Sequence, residues 1–148
     1  MTDPAERGLL DTSIIIDLES LPSDALPIAS AISTVSLAEL AAGLHTTDDP
    51  AERAVRATRL QTVEASIDAH PFDADASRRY GQMVALVLAA GRSHRARRLD
   101  LMIAATAAAN GLPLYTRNAA DFAGLESAVR VIDVDNPKSD LAAESSQG

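Results

Sequence analysis

Short apolar runs alternate along this chain with longer segments of helical period. Gly8-Leu9-Leu10 reads as a strand running into Asp11, and residues 13–20 (SIIIDLES) as the helix that follows. Residues 31–34 are a weaker strand, followed by SLAELAAGL (36–44), which is helical and closes near Gly43, a common helix-ending residue. Asp49-Pro50 restarts a helix with proline at its tolerated first position. There Ala57, Leu60, Val63 and Ile67 recur at helical spacing over 50–67, and Glu52 and Arg56 form an i,i+4 pair. His70-Pro71-Phe72 is a short strand candidate. Residues 75–90 carry Ala76, Tyr80, Met83, Val84 and Val87 on one helical face, and Gly91 ends that helix. An arginine-rich loop, 92–98, leads to an apolar helix over 99–109 that stops at Asn110-Gly111. Pro113-Leu114-Tyr115 and residues 129–134 are the last two strands.

Strands that alternate with helices predict a three-layer α/β domain with a central, mostly parallel sheet flanked by helices. No internal repeat is evident. One domain over residues 1–135 is expected, with the small, polar segment 136–148 as a disordered C-terminal tail. In such sheets ligands bind outside the carboxyl ends of the strands. Asp11 lies at one such end, and the segment Thr116–Asp121 at another.

Composition narrows the chemistry. With 148 residues the chain is long enough for one ordinary core. It has no cysteine, which excludes disulfides, thiolate metal sites and a cysteine nucleophile and fits a reducing, cytoplasmic setting. The N-terminus has no signal-peptide pattern and no apolar run reaches eighteen residues, so no membrane association is expected. A net charge of −8 argues against a passive basic nucleic-acid binder. The charge is unevenly spread, however. Residues from Asp133 onward carry −3, whereas RSHRARR (92–98) holds four arginines.

Four acids stand out, and each has a bland alternative. Asp11 could cap the helix that follows it. Ser36-Leu37-Ala38-Glu39 has the form of a capping box. Asp100 opens an apolar helix, where an acid is favoured by the helix dipole but, if buried, needs a partner; Arg97 and Arg98 are nearest in sequence. Asp121 could occupy the first turn of a helix capped by Asn118. Asp17 reads as a polar position on the first helix, and His45, His70 and His94 as isolated structural or surface residues. If the four acids converge, two carboxylates about 5 Å apart cost about 3 kcal/mol at an effective dielectric near 20. Such a group must take up protons or bind cations. Carboxylate oxygens without His or Cys suit Mg²⁺ or Mn²⁺ rather than Zn²⁺. Two such ions would cancel the four acids; with the tail also set aside, the remaining charge is about −1.

The pattern LLDTSIIIDL, then SLAEL, then LDLMIAATAAANGLPLYTRNAADF resembles a PIN-domain ribonuclease of the VapC toxin type, over residues 8 to about 134. The last motif is the most specific, and the spacing of acids at 11, 39, 100 and 121 matches as well. The resemblance implies a metal-dependent endoribonuclease in which Asp11, Glu39, Asp100 and Asp121 hold Mg²⁺ or Mn²⁺ for hydrolysis of RNA. Thr12 or Ser13, with Thr116 and Asn118, would give polar support, the latter two by fixing Asp121. It also implies a homodimer and a cognate antitoxin protein. Many relatives have a short Gly/Pro loop before the third acid, where this chain has RSHRARRL. Arg92, Arg95, Arg97 and Arg98 are candidates for contact with RNA phosphates.

Other readings fit less well. A haloacid-dehalogenase phosphatase would need a second aspartate where Ser13 stands, and both it and a receiver domain need a suitably placed lysine; the only lysine is Lys138. Neither Gly-x-Gly-x-x-Gly nor Gly-Lys-Ser/Thr occurs. The alternative that remains is a PIN-like RNA- or protein-binding module without catalytic activity.

Overall fold

The computed structural model describes residues 6–135, so the tail expected at 136–148 lies outside the described residues. Five strands, β1 (Arg7–Leu10), β2 (Ala29–Ser33), β3 (Asp68–His70), β4 (Leu114–Thr116) and β5 (Val131–Asp133), form one sheet in the order β3-β2-β1-β4-β5. Every pairing is parallel. The helices are α1 (Thr12–Ile16), α2 (Thr34–Gly43), α3 (Pro50–Ser66), α4 (Ala74–Ala89) and α5 (Arg98–Ala109).

The pleat assigns each helix layer its contacts. Leu9, Ala31 and Leu114 join one core with Met83 and Val87 of α4 and Leu101, Ile103 and Ala104 of α5. Their sequence neighbours Leu10, Ile32 and Tyr115 point the other way, into a second core with Ile14 and Ile15 of α1, Leu40 of α2 and Val63 of α3. This period-two division is what a sheet covered on both faces requires. Gly8 lets the layers close. A Cβ there would lie 2.5 Å from Tyr115 Cε1 and 3.1 Å from Pro27 Cβ.

The chain leaves β1 for β2 and β3 on one side and returns to β4 on the other. The reversal falls between β1 and β4, the position at which open α/β sheets hold their ligands. The carboxyl ends of these two strands are followed by Asp11 and contain Thr116.

Several boundaries differ from the sequence reading. The helix expected over 13–20 ends at Ile16 and gives way to a 3-10 turn, Leu18–Ser20. The strand expected at 31–34 runs Ala29–Ser33, and Thr34 already starts α2. Gly43 is the last helical residue rather than a left-handed terminator; positive φ among the glycines occurs at Gly91, Gly111 and Gly124. Gly91 and Gly111 do end α4 and α5. The strand expected at 70–72 is shifted to Asp68–His70, because that is the stretch in register with Ala31–Ser33 of β2. The arginine-rich loop holds a 3-10 turn, Arg95–Arg97, and Arg98 begins α5.

Candidate active site at the carboxyl ends of β1 and β4

Asp11 is only 4% exposed, and its carboxylate accepts three hydrogen bonds. The Thr12 amide donates to Oδ1 at 2.9 Å. The hydroxyls of Ser13 (2.9 Å) and Thr116 (2.8 Å) both donate to Oδ2. Those hydroxyls in turn accept backbone N–H groups from beyond β4, Arg117 N to Ser13 Oγ at 3.2 Å and Asn118 N to Thr116 Oγ1 at 3.0 Å. Two amides that leave the sheet are therefore satisfied by side chains that pass their own protons to Asp11. Asp11 caps α1 and also faces β4, so the cap and the site coincide.

Glu39 is placed by Thr12, whose Oγ1 lies 2.8 Å from Glu39 Oε1 and 2.9 Å from Ser36 Oγ. Thr12 Oγ1 is the donor in both contacts, so its proton is shared between the Glu39 carboxylate and the Ser36 hydroxyl. The capping box read at Ser36–Glu39 is thereby corrected. Ser33 is the residue that caps α2, accepting from Val35 N at 3.1 Å, and α2 begins early enough to turn Ser36 inward, where it is fully buried. Ser36 thus joins the site's hydrogen bonding, a role its place in an apparent cap concealed.

Asp100 sits in the first turn of α5 and Asp121 in a 3-10 turn, Ala119–Phe122. Asp121 pairs with Arg97, Nη1 to Oδ1 at 3.2 Å. Thr116 and Asn118 reach Asp121 through the backbone: the Asn118 amide donates to Thr116 Oγ1 at 3.0 Å, and the Asn118 carbonyl accepts from the Asp121 amide at 2.9 Å. The Thr116 hydroxyl donates to Asp11, and Asn118 offers no side-chain cap to the turn it precedes. Arg92 Nη1 donates to the carbonyls of Ala120 (3.2 Å) and Ala123 (3.4 Å), so both ends of the arginine-rich segment rest on the turn that carries Asp121. Arg95 and Arg98 are exposed. A residue that the sequence reading passed over is Arg117, whose guanidinium bridges Asp17 (2.8 Å) and Asp135 (2.9 Å) and ties the end of α1 to the end of β5.

Asp11, Glu39 and Asp121 all lie within electrostatic reach of Asp100. Burial, then the charges of Asp11, Asp121 and Glu39, push the Asp100 carboxyl up to about 6, against a smaller opposing effect of Arg97. Glu39 is raised as well, mainly by burial, with the Thr12 hydrogen bond opposing it. As they stand, no three His, Cys, Asp or Glu side chains among the described residues gather closely enough to hold a metal ion. A groove of about 600 Å³ between α1 and α3, lined by Ile16, Val55 and Val63 among others, contains none of the four acids.

Thr116 gives a direct test of this arrangement. Thr116→Val keeps the shape of a fully buried side chain but removes a donor to Asp11 and leaves the Asn118 amide without its acceptor. A loss of roughly 1–3 kcal/mol is expected in urea unfolding. A neutral substitution would mean that water satisfies both groups.

Comparison with known proteins shows the family. The pattern of the PIN domain family matches residues 8–127. The chain is 40% identical over 138 residues to ribonuclease VapC5 of Mycobacterium tuberculosis, an alignment covering 88% of this chain and 95% of the relative. Among solved structures, VapBC-5 of M. tuberculosis, from a toxin–antitoxin family, superposes with a TM-score of 0.75 at 36% identity over 85% of this chain and 95% of that one. A toxin–antitoxin complex from Klebsiella pneumoniae superposes with a TM-score of 0.59 at 28% identity, covering 86% and 97%. The parallel sheet and these relatives together place the chain in the PIN-domain family of VapC-type toxins.

Proposed function

We propose that this toxin is a metal-dependent endoribonuclease that hydrolyses RNA phosphodiesters at the site formed by Asp11, Glu39, Asp100 and Asp121. The observation that carries the reading is Asp100, a half-buried carboxyl pushed up to about 6 with three other carboxylates contributing. Such a group calls for a cation, and an all-oxygen donor set fits Mg²⁺ or Mn²⁺. When bound, the ion would bring the pKa of water toward neutrality and shield the phosphate charge. The protein's own contribution is placement. Thr12, Ser13 and Thr116 orient Asp11; Thr12 also orients Glu39; and the start of α5 carries Asp100. Exposed Arg95 and Arg98 are the members of the arginine-rich segment best placed to meet RNA phosphates, while Arg92 and Arg97 already hold the 119–123 turn.

The partners follow from the family. The relatives described as VapBC or toxin–antitoxin complexes support a cognate antitoxin for this chain. Half-exposed Val55 of α3 and Leu88 of α4 are apolar surface that the core leaves for that partner or for a second copy of the chain in a homodimer. Among the described residues no helix is long and apolar enough to cross a membrane.

The experiment is cleavage of a panel of structured cellular RNAs by the purified protein in Mg²⁺ or Mn²⁺, with and without chelator. Specific cuts abolished by chelator are expected. A folded, metal-binding protein that cuts nothing in the panel would favour the inactive binding module.

The same site fixes a pH dependence. A divalent ion must displace any proton on Asp100, so Mn²⁺ affinity measured by calorimetry should fall as pH drops through about 6, approaching about tenfold per pH unit below it. Affinity that stays flat between pH 7 and 5 would remove Asp100 from the ligand set.

A further inference from the structure

Arg97 supplies the single ion pair made by any of the four acids among the described residues. Its side chain, 24% exposed, reaches from the 3-10 turn before α5 to Asp121 on a different turn. Its charge also acts, more weakly, on Asp100. The contact is one Nη1 to one Oδ1, not the two-pronged pairing that makes arginine–carboxylate bridges strong, and the Asp121 side chain is 47% exposed. A pair of this kind is weak and open to exchange. The segment does not depend on it for its position, because Arg92 anchors the other end through the Ala120 and Ala123 carbonyls.

We propose that Arg97 is the site's own exchangeable counter-ion: its guanidinium neutralises Asp121 until a divalent cation displaces it. The inference rests on the metal-site reading above and adds to it a competition internal to the chain. Arg97 is then a positioning residue. It keeps Asp121 from being repelled by Asp100 in the metal-free protein and sets the concentration at which the metal takes over. The displaced guanidinium stays beside the site, where an RNA phosphate is its natural second partner.

The test is calorimetric titration of the full chain with Mn²⁺ alone, with thermal unfolding to show that each variant is folded. Arg97→Gln is expected to tighten Mn²⁺ binding by roughly 3–5-fold, a factor in keeping with the loss of one weak competing pair. Arg97→Lys, which keeps the charge, should stay within about twofold of the parent protein. Arg95→Gln removes an equal charge from the same segment without touching Asp121 and should change the affinity little, since screening weakens a distant exposed charge. In an Asp121→Asn background the effect of Arg97→Gln should shrink to the smaller part owed to its action on Asp100, because the ion pair is gone. Unchanged or weaker binding in Arg97→Gln overturns the proposal. So does an equal gain in Arg95→Gln, or a gain that is undiminished with Asp121→Asn. Absence of Mn²⁺ binding in both the parent and Arg97→Gln would overturn the metal-site reading itself, and this proposal with it.

Discussion

Asp100→Asn is expected to lower RNA cleavage by at least about 10²–10³-fold while making the metal-free protein more stable. The two effects have one cause. Asp100 carries a charge that burial and three neighbouring carboxylates oppose, which is why its pKa rises to about 6. Asparagine keeps the shape and removes the charge. Repulsion in the metal-free state is relieved, and the melting temperature should rise by about 2–4 °C near neutral pH. The same change removes the feature that attracts a divalent ion, so the further rise produced by saturating Mn²⁺ should disappear. Loss of groups that merely support a metal ligand costs about 10–100-fold, and loss of a ligand costs more.

The sign of the pH dependence follows. The folded chain binds a proton at Asp100 more tightly than the unfolded chain, whose carboxyl has the ordinary value near 3.8. Without metal, this group makes the parent protein more stable as pH falls through about 6, with the gain complete below about 3.8. Asp100→Asn should lack that gain. Cleavage assays and thermal scans at pH 7 and 5 check every part. Retained cleavage would remove Asp100 from the reaction. A lower melting temperature would mean that the carboxylate is held by favourable contacts.

Much of this arrangement is legible from sequence because its signals are local. A strand followed by Asp-Thr-Ser, an alanine-rich helix ended by Asn-Gly, and apolar positions at helical spacing each declare themselves within a dozen residues. Features that depend on distant pairing do not. β3 carries no apolar run, and its place at the sheet edge is decided by register with β2, so the more apolar His70-Pro71-Phe72 drew the expectation instead. Ser33 and Ser36 both precede a helical stretch and both suit a cap. Only the approach of Thr12, far off in sequence, shows that Ser36 faces inward. The motif residues Thr116 and Asp121 lie in one short stretch, yet Thr116 serves Asp11 on the adjacent strand and Asp121 is held by Arg97. A motif marks which residues share a site without marking which of them touch.

Phe122, the buried residue next to Asp121, anchors the same turn in the core, and Phe122→Ala should have the largest effect on stability. Phe122 is 2% exposed and belongs to the core that contains Leu101, Leu114, Leu125 and Val129. Truncating a phenylalanine in such a site removes its burial and leaves a cavity, at a cost of about 3–5 kcal/mol. That is a large fraction of the 5–15 kcal/mol typical of a whole domain. Phe122→Leu retains much of the volume and should cost less than about 1.5 kcal/mol. Urea unfolding measures both. The effect should also be local. Asn118 offers the 119–122 turn a backbone carbonyl but no side-chain cap, and the arginine contacts to the turn are exposed or half-exposed, so burial of the ring is a main fixed point. In Phe122→Ala, under conditions where the chain remains folded, the Asp121 amide, which donates to the Asn118 carbonyl at 2.9 Å, should lose protection from hydrogen exchange more than amides of β1 and β2 do. Mn²⁺ affinity should fall with it. A uniform loss of protection would mean that Phe122 stabilises the core as a whole and that Asp121 takes its position from Arg97 and Arg92. The placement of the fourth acid would then rest on the same arginine segment whose charge competes for it.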